Sequence, residues 1–232
     1  MNKLNNLISI VVPVYNESDS IRLLINEIIN VMKSHQLLFE LIIVNDGSVD
    51  RTSNVLENLS LEIKQLTVIN LRKNYGQTAA LAAGFDHSNG DIIVTLDGDL
   101  QNDPNDIPKL ITNINEGYDL ICGWRFQRKD KLLNRRIPSQ IANRLIGNVT
   151  GIHLHDYGCS LKAFKHEIIK DIKLYGELHR FLPVLANIEG AKIKEIKVNH
   201  RSRKYGQSKY GIDRTFRVLM DLLTVWFMNK FL

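Results

Sequence analysis

Cysteine is scarce in this chain, with only Cys122 and Cys159 among 232 residues. Two cysteines form neither a disulfide framework nor a four-ligand zinc site, so a reducing, cytosolic environment is expected. Long apolar runs are also lacking. No uncharged stretch reaches the ~18 residues that span a bilayer, and we expect no transmembrane helix in this chain. The apolar run ending at Pro13 lacks a small-residue cleavage site, which favours a strand over a signal peptide.

The chain also lacks the glycine patterns of two nucleotide-binding classes. Neither G-x-G-x-x-G nor a P-loop occurs, which ranks NAD-dependent and ATPase functions low. Zinc-finger spacing and RNP-like aromatic motifs are absent too. With 44% hydrophobic and 24% charged residues, the composition is globular, and the length suits one α/β domain or two small ones.

The net charge of +5 is concentrated in two segments. Residues 125–136 carry several Lys and Arg residues against the single acid Asp130, and residues 192–209 do so against Glu195. Such segments fit an anionic partner, whether nucleotide, lipid phosphate, membrane or nucleic acid. Two solvated basic faces remain an equal alternative.

Short apolar strands alternate with amphipathic helices in the first half. Strands are predicted at 8–14, 39–44, 66–71 and 91–96, and helices at 18–34, 49–59 and 77–85. Apolar strands between helices predict an α/β fold with a mostly parallel central sheet and helices on both faces. The second half is less regular. It predicts helices at 104–115, 139–146 and 179–188 and strands at 118–122, 160–164 and 191–198.

Polar side chains follow these strands. Residues 15–17 come after the first strand, Asp46 after the second, and Asp97 and Asp99 after the fourth. Ligands of parallel sheets bind beyond the carboxyl ends of the strands, so one rim is predicted to hold a site. Two carboxylates there could hold Mg²⁺ or Mn²⁺ against a diphosphate, unless they form an ordinary turn. Asp46 could accept a hydrogen bond from a nucleobase, such as from uracil N3–H, or cap the next helix.

The last segment, 213–232, has an amphipathic helical pattern. Aromatic residues on the apolar face of such a helix are typical of a membrane interface, and the basic segment before it favours that reading. Packing on the domain core is the alternative. The apolar face comprises Phe216, Leu219, Met220, Leu223, Trp226, Phe227 and Phe231.

Four ordered motifs resemble those of the family-2 glycosyltransferases with a GT-A fold: VVPVYNE (11–17), VNDGSVD (44–50), LRKNYGQTAAL (71–81) and DGDLQNDP (97–104). Four later segments are similar to the dolichol-phosphate mannosyltransferase-like branch, which includes bacterial undecaprenyl-phosphate glucosyltransferases. They are GWRFQRKD (123–130), DYGCSLKAF (156–164), YGELHRFLP (175–183) and HRSRKYGQSKYG (200–211). The resemblance implies a Rossmann-like catalytic domain over 1–211 and an amphipathic juxtamembrane helix over 212–232.

The resemblance also implies roles for individual residues. Asp97 and Asp99 would be the D-x-D pair that holds the metal and the diphosphate, with Gln101 as a further metal ligand. The implied nucleotide-binding residues are Pro13, Tyr15, Glu17, Asp46 and Asp97. The implied catalytic residues, which face the sugar and the acceptor phosphate, are Asp156, Arg128 and Arg203. Further candidates for the acceptor phosphate are Arg125, Arg201, Lys204, Ser208 and Lys209, and candidates that orient the sugar are Glu177 and His179.

The implied reaction moves one sugar from a UDP- or GDP-sugar, with UDP-glucose favoured, to polyprenyl phosphate, with inversion. A lipid phosphate is already a good nucleophile, so it needs charge neutralisation and alignment more than a strong base. The expected location is the cytoplasmic face of the cell membrane. Assembly into homo-oligomers stays open, and no nucleic-acid partner is expected.

Two departures from the branch stand out. Members that anchor themselves usually continue into transmembrane helices, whereas this sequence stops at Leu232. There is also no Q-x-x-R-W, which argues against polymer synthesis.

One alternative is transfer to a soluble glycan or protein, which the 200–211 motif and the last helix disfavour. A basic nucleic-acid-binding protein is an alternative from another class, although a carboxylate-lined rim repels phosphate without a metal. A nucleotidyltransferase would show a glycine-rich loop after the first strand.

Overall fold

The computed structural model describes residues 6–126, 137–203 and 213–231. The centre of the fold is a seven-stranded sheet in the order β3-β2-β1-β4-β6-β5-β7. Its strands are β1 (Ile8–Val14), β2 (Phe39–Asn45), β3 (Leu66–Asn70), β4 (Ile92–Thr95), β5 (Leu120–Arg125), β6 (Lys162–Lys165) and β7 (Ile193–Val198). All neighbouring pairs are parallel except those of β6, which runs antiparallel to both β4 and β5. The predicted mostly parallel sheet is confirmed.

Helices cover both faces of this sheet. They are α1 (Ile21–Ser34), α2 (Thr52–Glu62), α3 (Gln77–Asp86), α4 (Ile107–Asn115), α5 (Ile137–Thr150), α6 (His166–Ile169), α7 (Leu182–Ile188) and α8 (Asp213–Phe231). Ile10 and Val12 of β1 face the apolar side chains of α1, α2 and α4. Val11 of the same strand faces the other way, toward α3 and α7. Both faces are therefore apolar, which explains strands without a polar alternation.

Several boundaries differ from the predicted ones. Helix α1 begins at Ile21 rather than at 18, because residues 17–20 form a turn in which the Ser20 hydroxyl donates to the Glu17 carboxylate at 2.8 Å. Strand β5 continues to Arg125, and α5 is longer at both ends than predicted. Helix α6 was not predicted, and short 3₁₀ turns precede α4 and α7.

Helix α8 has two apolar faces. Leu222 and Val225 are buried against Phe181 and Leu185, so this helix does pack on the domain. The outer face leaves Leu223 60% exposed. Met220, Trp226, Phe227 and Phe231 are exposed with it. The side chains of Phe216 and Leu219 lie outside the described residues. No helix in the described ranges is both long and apolar enough to cross a bilayer.

Candidate active site

Polar loops meet where β1, β2 and β4 end. Strand β1 lies between β2 and β4, so the chain crosses from one side of β1 to the other between β3 and β4. Such a switch point leaves a crevice beyond the carboxyl ends of the strands. The loops after β1 and β2 are joined there: the Asn16 N–H donates to the Ser48 hydroxyl, and the Val49 N–H donates to the Asn16 side chain, both at 2.9 Å.

The turn after β4 places two carboxylates together. Gly98 allows the close approach, because a Cβ there would lie 2.7 Å from a Val14 methyl group. Leu100 follows with φ of 62°, an uncommon conformation for a residue with a side chain. Burial raises the pKa of Asp99, and the Asp97 charge raises it further, whereas Arg203 opposes the shift. The two predicted metal ligands therefore share one environment.

Cationic and amide groups already satisfy this carboxylate pair. The Arg203 guanidinium contacts the Asp99 carboxylate at 2.5 Å and the Gln101 side-chain oxygen at 3.2 Å. The Gln77 side chain donates to Asp97 Oδ1 at 2.8 Å. A guanidinium binds the Asp99 carboxylate and the Gln101 amide oxygen beside the charge of Asp97, so these oxygen-bearing side chains fit a divalent cation. Within the described ranges no cluster of three His, Cys, Asp or Glu forms a metal site. A cation here would take further ligands from phosphate and water, as Mg²⁺ does.

Asp46 is buried and forms hydrogen bonds with the loop before α3. Its two carboxylate oxygens accept hydrogen bonds from the backbone N–H groups of Tyr75 at 2.7 Å and Gly76 at 2.9 Å. Burial raises the pKa of Asp46, although these two bonds oppose the shift. Asp46 does not cap α2, since that helix begins at Thr52 and the Asp50 carboxylate accepts its N–H.

The other residues predicted to bind the nucleotide lie at the end of β1 and in the loop after it. Pro13 lines a cavity together with Gln77 and Asp97. The Glu17 N–H donates to the Thr52 hydroxyl at 2.9 Å. Tyr15 is half-buried in the loop between Pro13 and Glu17.

Arg125 and Asp156 form a two-bond ion pair. Nε and one terminal nitrogen of Arg125 donate to the two Asp156 oxygens at 2.7 and 2.8 Å. Glu195 of β7 accepts the Asp156 N–H at 2.9 Å. This pair joins the end of β5 to the loop before β6, beside the crevice. The predicted catalytic residue Arg128 lies outside the described residues.

The segment after β7 is tied to the turn after β4. Arg201 pairs with Glu27 at 2.6 Å and Asp103 at 2.7 Å. Asn102 and His200 form an antiparallel bridge. Arg203 thereby reaches Asp99. The predicted acceptor residues Lys204, Ser208 and Lys209 fall in the part of the chain that is not described.

His179 lies deeper in the crevice than Glu177. Its Nδ1 is 2.6 Å from the Thr78 hydroxyl, and it lines the cavity that Asp97 also lines. The Glu177 backbone N–H donates to Asp221 of α8 at 2.6 Å. The 177–181 turn therefore connects the site to the terminal helix.

Three residues of this site escaped the sequence analysis. Gln77 contacts Asp97, and the Asn102 side chain accepts the Ser160 hydroxyl at 2.8 Å. Buried Lys162 donates to the backbone oxygens of Tyr157 and Cys159. Gln77 and Asn102 stand inside the quoted motifs. For Lys162, the sequence does offer a signal of a functional or structural role, namely a charged residue within an otherwise apolar strand pattern.

Comparison with known proteins agrees with the family resemblance of the sequence motifs. Residues 9–173 match the family described as "Glycosyl transferase family 2". A "Dodecaprenyl-phosphate galacturonate synthase" of Rhizobium johnstonii is 47% identical over 97% of this chain and 68% of its own length. An "Undecaprenyl-phosphate 4-deoxy-4-formamido-L-arabinose transferase" of Shewanella sediminis is 40% identical over 94% of this chain and 66% of its own. The chain thus spans about two thirds of these relatives.

A solved structure shares the fold. The glucosyl-3-phosphoglycerate synthase of Mycobacterium tuberculosis, in complex with Mn²⁺, UDP and phosphoglyceric acid, superposes with a TM-score of 0.72. It is 19% identical, and the match covers 97% of this chain and 78% of that one. The expected GT-A fold is confirmed.

Proposed function

Because this chain belongs to glycosyl transferase family 2, we propose that it moves a single sugar from a nucleotide-sugar to the phosphate of a polyprenyl lipid. The observation that carries the proposal is the Asp99 carboxylate, which lies close to the charge of Asp97 and pairs with Arg203 just after β4. Both curated relatives have a prenyl phosphate in their names, which supports a lipid-phosphate acceptor. Their names give different sugars, so the donor needs its own test.

The donor's diphosphate would lie over the turn after β4. Asp97, Asp99 and Gln101 would hold Mg²⁺ or Mn²⁺, which neutralises charge on the departing diphosphate when bound. The Mn²⁺ and UDP of the solved neighbour support this choice. Asp46 and residues 13–17 would border the base and ribose. UDP-glucose is the first donor to test, since Asp46 can accept from uracil N3–H, while GDP-mannose and N-acetylated UDP-sugars are the next.

The acceptor phosphate would meet the arginines. One of its oxygens forms a bond to the anomeric carbon as the bond from that carbon to the diphosphate breaks, which inverts the centre. Guanidinium groups suit phosphate oxygens because of their planar fork. Arg203, Arg125 and Arg201 are the candidates among the described residues. Arg128, Lys204, Ser208 and Lys209 would complete this side, whereas Asp156, Glu177 and His179 would orient the sugar.

The acceptor's lipid tail requires a membrane surface nearby. The outer face of α8, with exposed Leu223, Phe227 and Phe231, suits the headgroup region of a bilayer. We place the protein at the cytoplasmic face of the membrane, where nucleotide-sugars would be available.

The direct test is a transfer assay with radiolabelled UDP-glucose, undecaprenyl phosphate in detergent, and Mg²⁺ or Mn²⁺. We expect label in the organic extract, lost on chelation and in Asp99→Ala. Asp171→Ala is the matched control, because Asp171 is exposed and follows α6. The antiparallel strand β6 ends opposite the start of β4, away from the turn that carries Asp97 and Asp99. Label found only in a water-soluble product would reject the lipid acceptor. The absence of any labelled product with every UDP- and GDP-sugar tested would reject it too.

A further inference from the structure

Gln77 is the first residue of α3, and its side chain does not cap that helix. The N-cap residue is Gly76, which makes no side-chain cap. The Gln77 amide instead donates across the crevice to Asp97 Oδ1 at 2.8 Å. This bond restrains the rotation of one carboxylate of the pair through one of its two oxygens.

The backbone that carries Gln77 is itself held from the neighbouring strand. Gly76 has φ of 94°, a conformation open mainly to glycine. The Asp46 carboxylate accepts the N–H groups of both Tyr75 and Gly76. Asp46, the 75–76 backbone, Gln77 and Asp97 therefore form one continuous hydrogen-bonded path from the end of β2 to the end of β4.

We infer that Gln77 is a positioning residue that orients the Asp97 carboxylate for cation binding and links it to Asp46. The inference rests on the proposed function. Groups that hold a metal ligand in place commonly change metal affinity ten- to a hundredfold when they are removed. Since Asp46 also borders the proposed base pocket, this path would couple occupancy of the two ends of the donor site.

The test measures Mn²⁺ binding by electron paramagnetic resonance on the full chain, with and without UDP. Gln77→Leu removes the donor at similar size, and we expect Mn²⁺ affinity to fall at least tenfold. Gln65→Leu is the same change in the loop before β3, near the amino ends of the parallel strands and away from the site. It should leave the Mn²⁺ affinity unchanged. Urea unfolding midpoints would establish that both variants are folded.

A double-mutant cycle tests the link to Asp46. In the absence of UDP, Asp46→Asn should weaken Mn²⁺ binding by the otherwise unchanged protein, because the Asp46 carboxylate holds the 75–76 backbone that positions Gln77. In the Gln77→Leu background the same change should have no effect beyond about twofold. If the two substitutions lowered the Mn²⁺ affinity independently, so that their fold-changes multiplied in the double mutant, the link to Asp46 would be overturned. A Gln77→Leu variant with the Mn²⁺ affinity of the wild type would overturn the positioning role. If the wild-type protein binds no Mn²⁺ with UDP, the proposed metal-dependent function itself fails.

Discussion

Arg203 and Asp99 form an ion pair of 2.5 Å although they lie 104 residues apart in the chain. The second Asp99 oxygen accepts the Gln101 N–H at 3.1 Å. The guanidinium thus contacts the carboxylate for which the D-x-D resemblance implies a metal-binding role. A metal and Arg203 would compete for one carboxylate, and the phosphates of the substrates offer Arg203 a new partner.

The first prediction concerns this competition. In Arg203→Gln the competing cation is gone, so Mn²⁺ affinity without nucleotide should rise about tenfold, equivalent to ~1.4 kcal/mol. Transfer to the lipid should nevertheless fall by at least about tenfold, since a phosphate-binding charge is lost. Titration calorimetry and the extraction assay measure the two effects. Arg22→Gln is the control, because Arg22 is an exposed arginine of α1; weaker Mn²⁺ binding in Arg203→Gln would contradict the competition.

The second prediction concerns stability at Arg125 and Asp156. Asp156→Ala would strip a guanidinium that is 15% exposed of both its carboxylate bonds. Removal of one partner of such a pair typically costs about 3–5 kcal/mol of unfolding free energy. Urea denaturation would measure this loss. Glu62→Ala breaks an exposed pair and should cost less than about 1 kcal/mol, so equal losses in the two variants would refute the expectation.

The third prediction is a pH dependence at Asp106. Burial raises the pKa of Asp106 and nearby Asp103 adds to it, although the Asn199 N–H at 2.6 Å opposes the shift. The folded protein therefore keeps this proton to a higher pH than the unfolded chain. The stabilisation of the folded protein by this retained proton is complete below pH 3.8, the ordinary pKa of an aspartate. It is lost as the pH rises through the pKa that Asp106 has in the folded protein.

Wild-type protein should accordingly lose unfolding free energy relative to Asp106→Asn as the pH rises across that window. Urea titrations of both proteins at a series of pH values would measure the difference. A difference that stays level, or that grows with pH in favour of wild type, would show that the Asp106 pKa is not raised.

The fourth prediction separates the two faces of α8. Leu222 is 7% exposed and Leu223 is 60% exposed, so the same truncation at adjacent positions has different consequences. Leu222→Ala should destabilise the protein by roughly 2–5 kcal/mol through the cavity it leaves. Leu223→Ala should leave stability nearly unchanged but weaken sedimentation with anionic vesicles. Equal vesicle binding by wild type and Leu223→Ala would argue against this face as the membrane contact.

The strands of the first half were predictable from local pattern. Ile8–Val14 has the predicted bounds, because a short β-branched apolar run that is buried on both faces favours a strand. The polar residues after each strand were likewise predictable as a rim, since parallel strands share one carboxyl edge. The start of α1 was not, because the bond from Ser20 to Glu17 depends on side-chain geometry rather than on periodicity.

The family, the mostly parallel α/β class and the Asp97–Asp99 pair could all be inferred from the amino-acid sequence, because each depends on residues that are neighbours in the chain. The contacts of those carboxylates became known from the folded structure. Arg203 and Gln77 reach them because the reversal of β6 and the placement of β1 between β2 and β4 bring distant loops together. Periodicity encodes which face of an element is buried, but it carries no information about which remote side chain lies within hydrogen-bonding distance.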